Sequence, residues 1–178
     1  MNEPQAHLAV PVSERDHVTG SESAPVTLVE YGDYECSFCD EAYLAVKNVQ
    51  RHLGDRLRFV FRNFPIGTIH PHAEHAAEAA EAAAAQGMFW EMHDLLYEHQ
   101  QTLGDPHLRA FAEQLGLDLD RFDRDMSEHT LADRVREDFM GGVRSGVNGT
   151  PSFFINGARY DESWDEDSLR GALEQAAR

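Results

Sequence analysis

Apolar residues recur along the chain with two different spacings, which predict strands and helices in a definite order. A run of β-branched and aromatic residues over 26–31 predicts a buried strand. Between Ala42 and Leu53 the apolar residues are spaced by four, three and four positions, which is typical of one helix face. Apolar residues alternate with arginines over 57–64, which predicts a second strand. Strand, helix and strand in close succession indicate a right-handed βαβ unit.

The middle of the chain, 66–145, has helical spacing throughout. Nine of the thirteen residues from Ala73 to Ala85 are alanine, the strongest helix former. Further helical patterns predict four or five helices in this block. After it, two short strand-like runs flank Asn156-Gly157, a dipeptide typical of tight hairpins. A last amphipathic helix is predicted between Leu169 and Ala176. The order predicts an α/β fold with an all-helical insertion between its βαβ and ββα halves.

The same patterns divide the chain into three parts. Residues 1–24 are polar and predict an N-terminal arm. Residues 25–65 and 146–178 carry the strands and predict one α/β domain. Residues 66–145 predict a helical insertion subdomain.

Composition and charge exclude some classes of function. The 178 residues carry a formal charge of −17. This acidity argues against binding to nucleic acid or to anionic membranes, because both need clusters of lysine and arginine. No apolar stretch has the roughly 20 residues of a membrane span. The first residues do not resemble a secretory leader. We therefore expect a cytoplasmic protein if Met1 is the native start, and a periplasmic or extracytoplasmic one if a leader has been removed.

Cys36 and Cys39 are the only cysteines and are the strongest chemical signal in the sequence. They lie between the first strand and the first helix, where C-x-x-C indicates a thioredoxin-like redox motif. The free N–H groups and the dipole of that helix stabilise a thiolate at Cys36. Cys36 is therefore predicted to attack and Cys39 to resolve the mixed disulfide. A zinc site with His70, His72 and His75 and a pair of inert thiols are the alternatives.

Two other positions are candidates for the same site. Glu30 lies within an apolar strand, where burial raises the pKa of a carboxyl group. It is predicted to accept a proton from Cys39, and a solvent-exposed position at the strand edge is the alternative. Thr150-Pro151 stands at the entrance to the strand that follows the helical block. A cis bond there would leave the Thr150 backbone free to pair with an extended substrate, whereas a trans proline is the ordinary expectation.

The residues around the cysteines are acidic, and no histidine or lysine lies among them. The four carboxylates in this stretch are Asp33, Glu35, Asp40 and Glu41. Like charge disfavours a thiolate and opposes the helix dipole. We therefore expect a Cys36 pKa of about 7, as in thioredoxin, rather than the much lower value of a strong oxidant.

Three segments, YGDYECSFC, HPHAEHAAEAA and GVNGTPSFFINGARYD, resemble the DsbA-like branch of the thioredoxin superfamily. They are most similar to the bacterial domains that also occur fused to sodium/proton antiporters. The resemblance covers about residues 16–176 and implies a thioredoxin fold with a helical insertion. It implies that Cys36 is the nucleophile and Cys39 the resolving cysteine. It also implies that Glu30 is the buried acid, that Thr150 precedes the cis-proline, and that Pro151 is the cis-proline.

The sequence therefore predicts a thiol–disulfide oxidoreductase that acts on protein thiols or disulfides, together with an unidentified redox partner. Thr150, Pro151 and Phe38 are assigned to substrate binding. No cofactor or metal is implied, and nothing in the sequence demands more than a monomer. A disulfide isomerase, a glutathione-transferase-like enzyme, and a chaperone or metal-responsive binding module are the alternatives.

Overall fold

The computed structural model describes residues 5–178, which form a five-stranded sheet and seven α-helices. Residues 1–4, which belong to the predicted arm, lie outside the described residues. The strands are β1 (His17–Gly20), β2 (Val26–Gly32), β3 (Leu57–Asn63), β4 (Ser152–Ile155) and β5 (Ala158–Tyr160). The helices are α1 (Ser37–Leu53), α2 (Ala73–Ala84), α3 (Phe89–Glu98), α4 (Asp105–Gln114), α5 (Leu119–Ser127), α6 (Ala132–Arg144) and α7 (Glu166–Ala176).

The sheet has the strand order β1-β3-β2-β4-β5. The pairs β1–β3, β2–β4 and β4–β5 are antiparallel, whereas β2 and β3 are joined by the crossover through α1. β2 is the central strand and is almost completely buried, which explains why its sequence is a nearly continuous apolar run. This mixed α/β architecture with inserted helices confirms the predicted fold class.

The chain divides into two compact units. Unit 1 contains the residues up to Gly32, Glu41–Arg62 and Met140–Arg178, and therefore nearly all of the sheet. Unit 2 contains Asp33–Asp40 and Asn63–Phe139, and therefore most of the inserted helices. The short segment with both cysteines is thus grouped with the helices, although α1 itself continues from it into unit 1.

The hairpin and the last helix organise one side of unit 1. Asn156 and Gly157 both have positive φ, of 50° and 84°, as a two-residue turn between β4 and β5 requires. The Asn156 side chain also accepts a hydrogen bond from the Thr27 amide at 2.9 Å. α7 buries Leu169 and Leu173 completely and packs against β2.

A buried ion pair holds the N-terminal arm against β3 within unit 1. The Arg62 guanidinium on β3 binds both carboxylate oxygens of Asp16, at 2.8 and 3.0 Å. It also donates to the carbonyl oxygens of Val10 and Pro11 and to the Tyr31 hydroxyl. Burial alone lowers the pKa of the guanidinium, but the hydrogen bond and charge of Asp16 and the Tyr31 hydroxyl outweigh it, so the pKa is raised. The arm is therefore part of the fold from at least Val10 onwards.

The alanine-rich helix α2 is the centre of unit 2. It packs against α3, α4 and α5, and nearly all of its residues are buried. Alanine side chains let several helices approach it closely, because they leave little volume between the helix axes. The pattern predicted the helix correctly. It gave no sign that Glu78 and Glu81 on the same helix are also buried.

Candidate active site

The two cysteines lie at the start of α1. Cys36 directly precedes the helix, and its carbonyl oxygen accepts hydrogen bonds from the amides of Cys39 at 3.1 Å and Asp40 at 3.2 Å. Cys36 is 6 % exposed, whereas Cys39 is fully buried. The helix N-terminus supplies N–H groups and a positive partial charge beside the Cys36 sulfur, which favours the thiolate. The more accessible sulfur is thus the one that the sequence predicted to attack.

Asp33 holds the loop that leads into the cysteines. Its backbone amide donates to the Cys39 sulfur at 3.5 Å. Its buried carboxylate accepts from the amides of Glu35 at 2.8 Å and Ile66 at 2.9 Å, and it binds His70 Nδ1 at 2.7 Å. The sequence alone indicates only that Asp33 is a negative charge near the cysteines. In the structure its hydrogen bonds connect the cysteine loop to the segment that follows β3.

Gln100, just after α3, supports the same loop from the other side. Its side-chain amide donates to the carbonyl oxygens of Tyr34 at 3.0 Å and Cys36 at 2.7 Å. No feature of the sequence points to this residue, because the contact joins positions more than sixty residues apart. These two hydrogen bonds fix the backbone at Cys36 and two residues before it.

A buried aromatic cluster lies behind the loop. The Tyr34 hydroxyl and His93 Nδ1 are hydrogen-bonded at 2.9 Å, and the two rings meet edge to face at 5.5 Å. Tyr97 packs on Tyr34 at 4.9 Å between ring centroids. Tyr34 and His93 are almost fully buried. Neither residue was predicted to belong to the site. An aromatic residue two positions before C-x-x-C could have pointed to Tyr34.

A groove of about 530 Å³ adjoins the residues on either side of Cys36. Its lining residues include Glu35, Ser37, His70, His72 and His107. The Glu35 carboxylate accepts a hydrogen bond from the His72 amide at 2.6 Å, so it is fixed at the edge of this groove. Phe38, the second residue of α1, is 59 % exposed.

The other predicted residues belong to unit 1. Glu30 on β2 is 2 % exposed and stands opposite Phe153 on β4. The alternative that Glu30 is a solvent-exposed edge residue is therefore wrong, because β2 is the central strand. The Thr150–Pro151 peptide bond is cis, and Pro151 directly precedes Ser152, the first residue of β4. Glu30 thus lies on β2 and Pro151 just before the neighbouring strand β4, while Cys36, Cys39 and Phe38 lie together at the start of α1.

One group of metal-ligand side chains occurs among residues 5–178, and the cysteines are not part of it. It consists of His75, Glu78 and His129, whose ligand atoms lie within 4.8 Å of one another. His70 is instead bound to Asp33. The zinc alternative that joined the cysteines to His70, His72 and His75 therefore finds no support among the described residues.

A thioredoxin family model matches residues 12–175, which is nearly the whole chain. The chain belongs to this family. A C-x-x-C pair at the start of the helix that follows β2 agrees with that membership.

Solved structures with the same fold include DsbA-family oxidoreductases. The match to BdbD from Bacillus subtilis has a TM-score of 0.84 and 24 % sequence identity. It covers 98 % of this chain and 99 % of the BdbD chain. A thioredoxin-like oxidoreductase from Silicibacter pomeroyi has a TM-score of 0.81 at 27 % identity, covering 92 % of this chain and 93 % of its own. Wolbachia pipientis alpha-DsbA1 has a TM-score of 0.79 at 17 % identity, covering 96 % of this chain and 94 % of its own.

Curated sequences that are similar to this chain are named Na(+)/H(+) antiporters. The Na(+)/H(+) antiporter NhaA 1 of Salinispora arenicola is 48 % identical over 170 residues, which cover 95 % of this chain and 26 % of that protein. The NhaA 1 of Mycobacterium sp. (strain KMS) is 45 % identical over 163 residues, covering 90 % of this chain and 27 % of that protein. The chain therefore spans about a quarter of the length of these relatives. Among the described residues, no helix combines the length and the apolar character that crossing a bilayer requires.

Proposed function

We propose that the protein is a thiol–disulfide oxidoreductase that exchanges disulfides with protein thiols through Cys36 and Cys39. The observation that carries this proposal is the position of the pair at the start of α1, with Cys36 6 % exposed and Cys39 fully buried. The antiport activity named for the relatives is not needed for this chemistry, which rests on residues of this chain.

In the reducing direction the Cys36 thiolate attacks a substrate disulfide. A bond forms between the Cys36 sulfur and one substrate sulfur, and the other substrate sulfur leaves as a thiolate that takes up a proton. Cys39 then loses its proton and attacks the Cys36 sulfur. The mixed disulfide breaks and the substrate leaves with both thiols reduced. The two electrons that it gained come from the Cys36 and Cys39 thiols, which are left joined as a disulfide. A redox partner, so far unidentified, returns the pair to its dithiol form.

Other residues have supporting roles in this proposal. Glu30, which is buried on β2, is proposed as the acid that exchanges a proton with Cys39 during resolution. The exposed ring of Phe38 and the backbone at Thr150–Pro151 are proposed to contact the substrate chain. Asp33 and Gln100 position the loop that carries Cys36.

The proposal is tested by reduction of insulin in the presence of dithiothreitol. Wild type is expected to accelerate precipitation of the insulin B chain, and Cys36→Ser is expected to lose all acceleration. Cys39→Ser should retain the attack and accumulate a mixed disulfide with substrate, visible by mass spectrometry. If Cys36→Ser reduces insulin as fast as wild type, the proposal is wrong.

The reduction potential of the pair decides the direction in vivo. A value near about −270 mV indicates a reductant for a reducing compartment such as the cytoplasm. A value near about −120 mV indicates a DsbA-like oxidant that works outside it. The equilibrium is measured in glutathione buffer by fluorescence of Trp90 and Trp164.

A further inference from the structure

A group of three metal-ligand side chains lies in unit 2 on two separate segments. His75 and Glu78 are one turn apart on α2, and His129 lies in the turn between α5 and α6. Their ligand atoms are mutually within 4.8 Å. The closest pair is His129 Nδ1 and Glu78 Oε2, at 2.9 Å. None of the three has a role in the disulfide chemistry proposed above.

A fourth residue orients the first histidine. Asp105, the first residue of α4, accepts a hydrogen bond from His75 Nδ1 at 2.8 Å. With Nδ1 carrying the proton, Nε2 is left as the unprotonated nitrogen that can bind a cation. This carboxylate–histidine arrangement is the usual support of a metal-binding imidazole, because it fixes both the tautomer and the ring orientation.

The backbone at His129 is in a conformation that a histidine rarely adopts. Its φ is 53°, in the left-handed region. The surrounding structure must hold a residue in such a conformation, and residues of this kind cluster at functional sites. The conformation brings the His129 ring to 5.7 Å from the ring of His75, between centroids. The turn thus places the His129 imidazole close to α2, the helix that carries His75 and Glu78.

The burial of the three groups suits a cation bound at a surface. The Glu78 side chain is 7 % exposed and lies at the bottom, while the His129 side chain is 53 % exposed and forms the rim. A cavity of about 540 Å³ adjoins the histidines and is also lined by Phe122, Met126 and Arg109. An ion held here would keep an open side for a water molecule or another ligand.

We propose that His75, Glu78 and His129 bind a zinc ion, with Asp105 as a positioning residue for His75. Two imidazole nitrogens and one carboxylate form a three-ligand zinc set, to which a water molecule adds the fourth ligand. Zinc–ligand distances of about 2.1 Å place neighbouring ligand atoms roughly 3.4 Å apart in a tetrahedron. His129 Nδ1 and Glu78 Oε2 are 2.9 Å apart because they share a hydrogen bond, so zinc would replace the shared proton and move the two atoms slightly apart. Rotation of the exposed histidine rings closes the remaining distances.

An ion bound at this site would connect α2 to the α5–α6 turn directly. It would connect to α4 through the hydrogen bond between His75 and Asp105. Zinc that binds the folded chain and not the unfolded one raises the melting temperature. The proposal is independent of the proposed oxidoreductase activity, since the cysteines take no part in it.

The test measures zinc binding by competition with a chelating dye. The protein is first oxidised, so that Cys36 and Cys39 are joined and cannot bind the metal as thiolates. Wild type is expected to bind one equivalent. His129→Ala and Glu78→Gln are expected to lose this binding, and Asp105→Asn is expected to weaken it by about 10- to 100-fold.

His52→Ala is the matched control. His52 forms an exposed histidine–carboxylate pair with Glu174 at 3.0 Å, but it is not part of any three-ligand group among the described residues. This variant should bind zinc like wild type. X-ray absorption of the bound ion should show nitrogen and oxygen neighbours and no sulfur.

Three results would overturn the proposal. They are the absence of stoichiometric binding to wild type, equal binding by wild type and His129→Ala, and a sulfur shell around the ion. Far-UV circular dichroism of each variant establishes that the helices are intact. His129 is exposed, so His129→Gln offers a second variant that leaves the core untouched and should also lose binding.

Discussion

Removing the carboxylate of Asp16 should strongly destabilise the protein. The substitution Asp16→Asn keeps the shape of the side chain but leaves the Arg62 guanidinium as a buried cation without its counter-ion. The two side chains are only 3 % and 6 % exposed, so water screens their interaction very little. Breaking a buried ion pair from one side costs about 3–5 kcal/mol, because an uncompensated charge stays behind.

The remaining contacts of Arg62 place the expected cost at the lower end of this range. The guanidinium keeps the carbonyl oxygens of Val10 and Pro11 and the Tyr31 hydroxyl as acceptors. The introduced amide can still accept one hydrogen bond. We therefore expect a loss of about 3 kcal/mol in the free energy of unfolding. For a chain of this size each kcal/mol lowers the melting temperature by about 2–4 °C, which gives a decrease of roughly 6–12 °C.

The assay is thermal and urea unfolding followed by circular dichroism at neutral pH. The matched control is Asp123→Asn, which breaks the pair with Arg109, where both side chains are about half exposed. Exposed pairs of this kind contribute little, so the control should melt like wild type. If Asp16→Asn and Asp123→Asn melt at the same temperature, the argument from burial is refuted.

Two further predictions concern backbone conformation and a helix cap. Gly20→Ala should severely lower the free energy of unfolding measured in a urea titration. Gly20 has φ +93°, and a Cβ atom there would collide with the backbone carbonyl of Leu57 at the start of β3. Gly54→Ala is the control and should cost much less, because Gly54 has φ +53° but open space around it. The Asp165 carboxylate caps α7, and hydrogen bonds from Ser163 and Ser168 lower its pKa to about 2. The stability it contributes is therefore fully present above its unfolded pKa of about 4 and is lost as the pH falls towards 2. The difference in stability between wild type and Asp165→Asn should disappear over this range, and a carboxyl titration by NMR with a midpoint at 4 would contradict the assignment.

Local patterns predicted most of the elements. The apolar run of β2, the alternation of β3 and the Asn156-Gly157 turn each depend on neighbouring residues, so their signals survive in the sequence. The spacing of apolar residues did not predict where α7 begins. Asp165 caps α7, and the nearby Ser163 hydroxyl donates a hydrogen bond to the Asp165 carboxylate. Such a choice between nearby polar residues depends on geometry that spacing does not reveal.

The candidate site was predicted where its residues are close in the sequence. Cys36, Cys39 and the buried Glu30 follow from the motif and from the character of one strand. The contacts of Gln100 and His129 could not be predicted from the sequence. Each residue reaches its partners only after the inserted helices have packed. The domain boundaries at 25–65, 66–145 and 146–178 remain a prediction, and the grouping of the described residues adds that 33–40 cluster with the helices.

The alanine-rich helix α2 has a consequence for how this protein can change during evolution. Ala76 and Ala80 are completely buried, and most of the other alanines from Ala73 to Ala83 are equally enclosed. Each added methyl or larger group in such a site costs about 1–3 kcal/mol through overpacking. Descendants of this gene should therefore keep small residues here even if the protein lost its chemistry. Conservation of this alanine stretch in related sequences would reflect helix packing. It should not be interpreted as evidence for an active site.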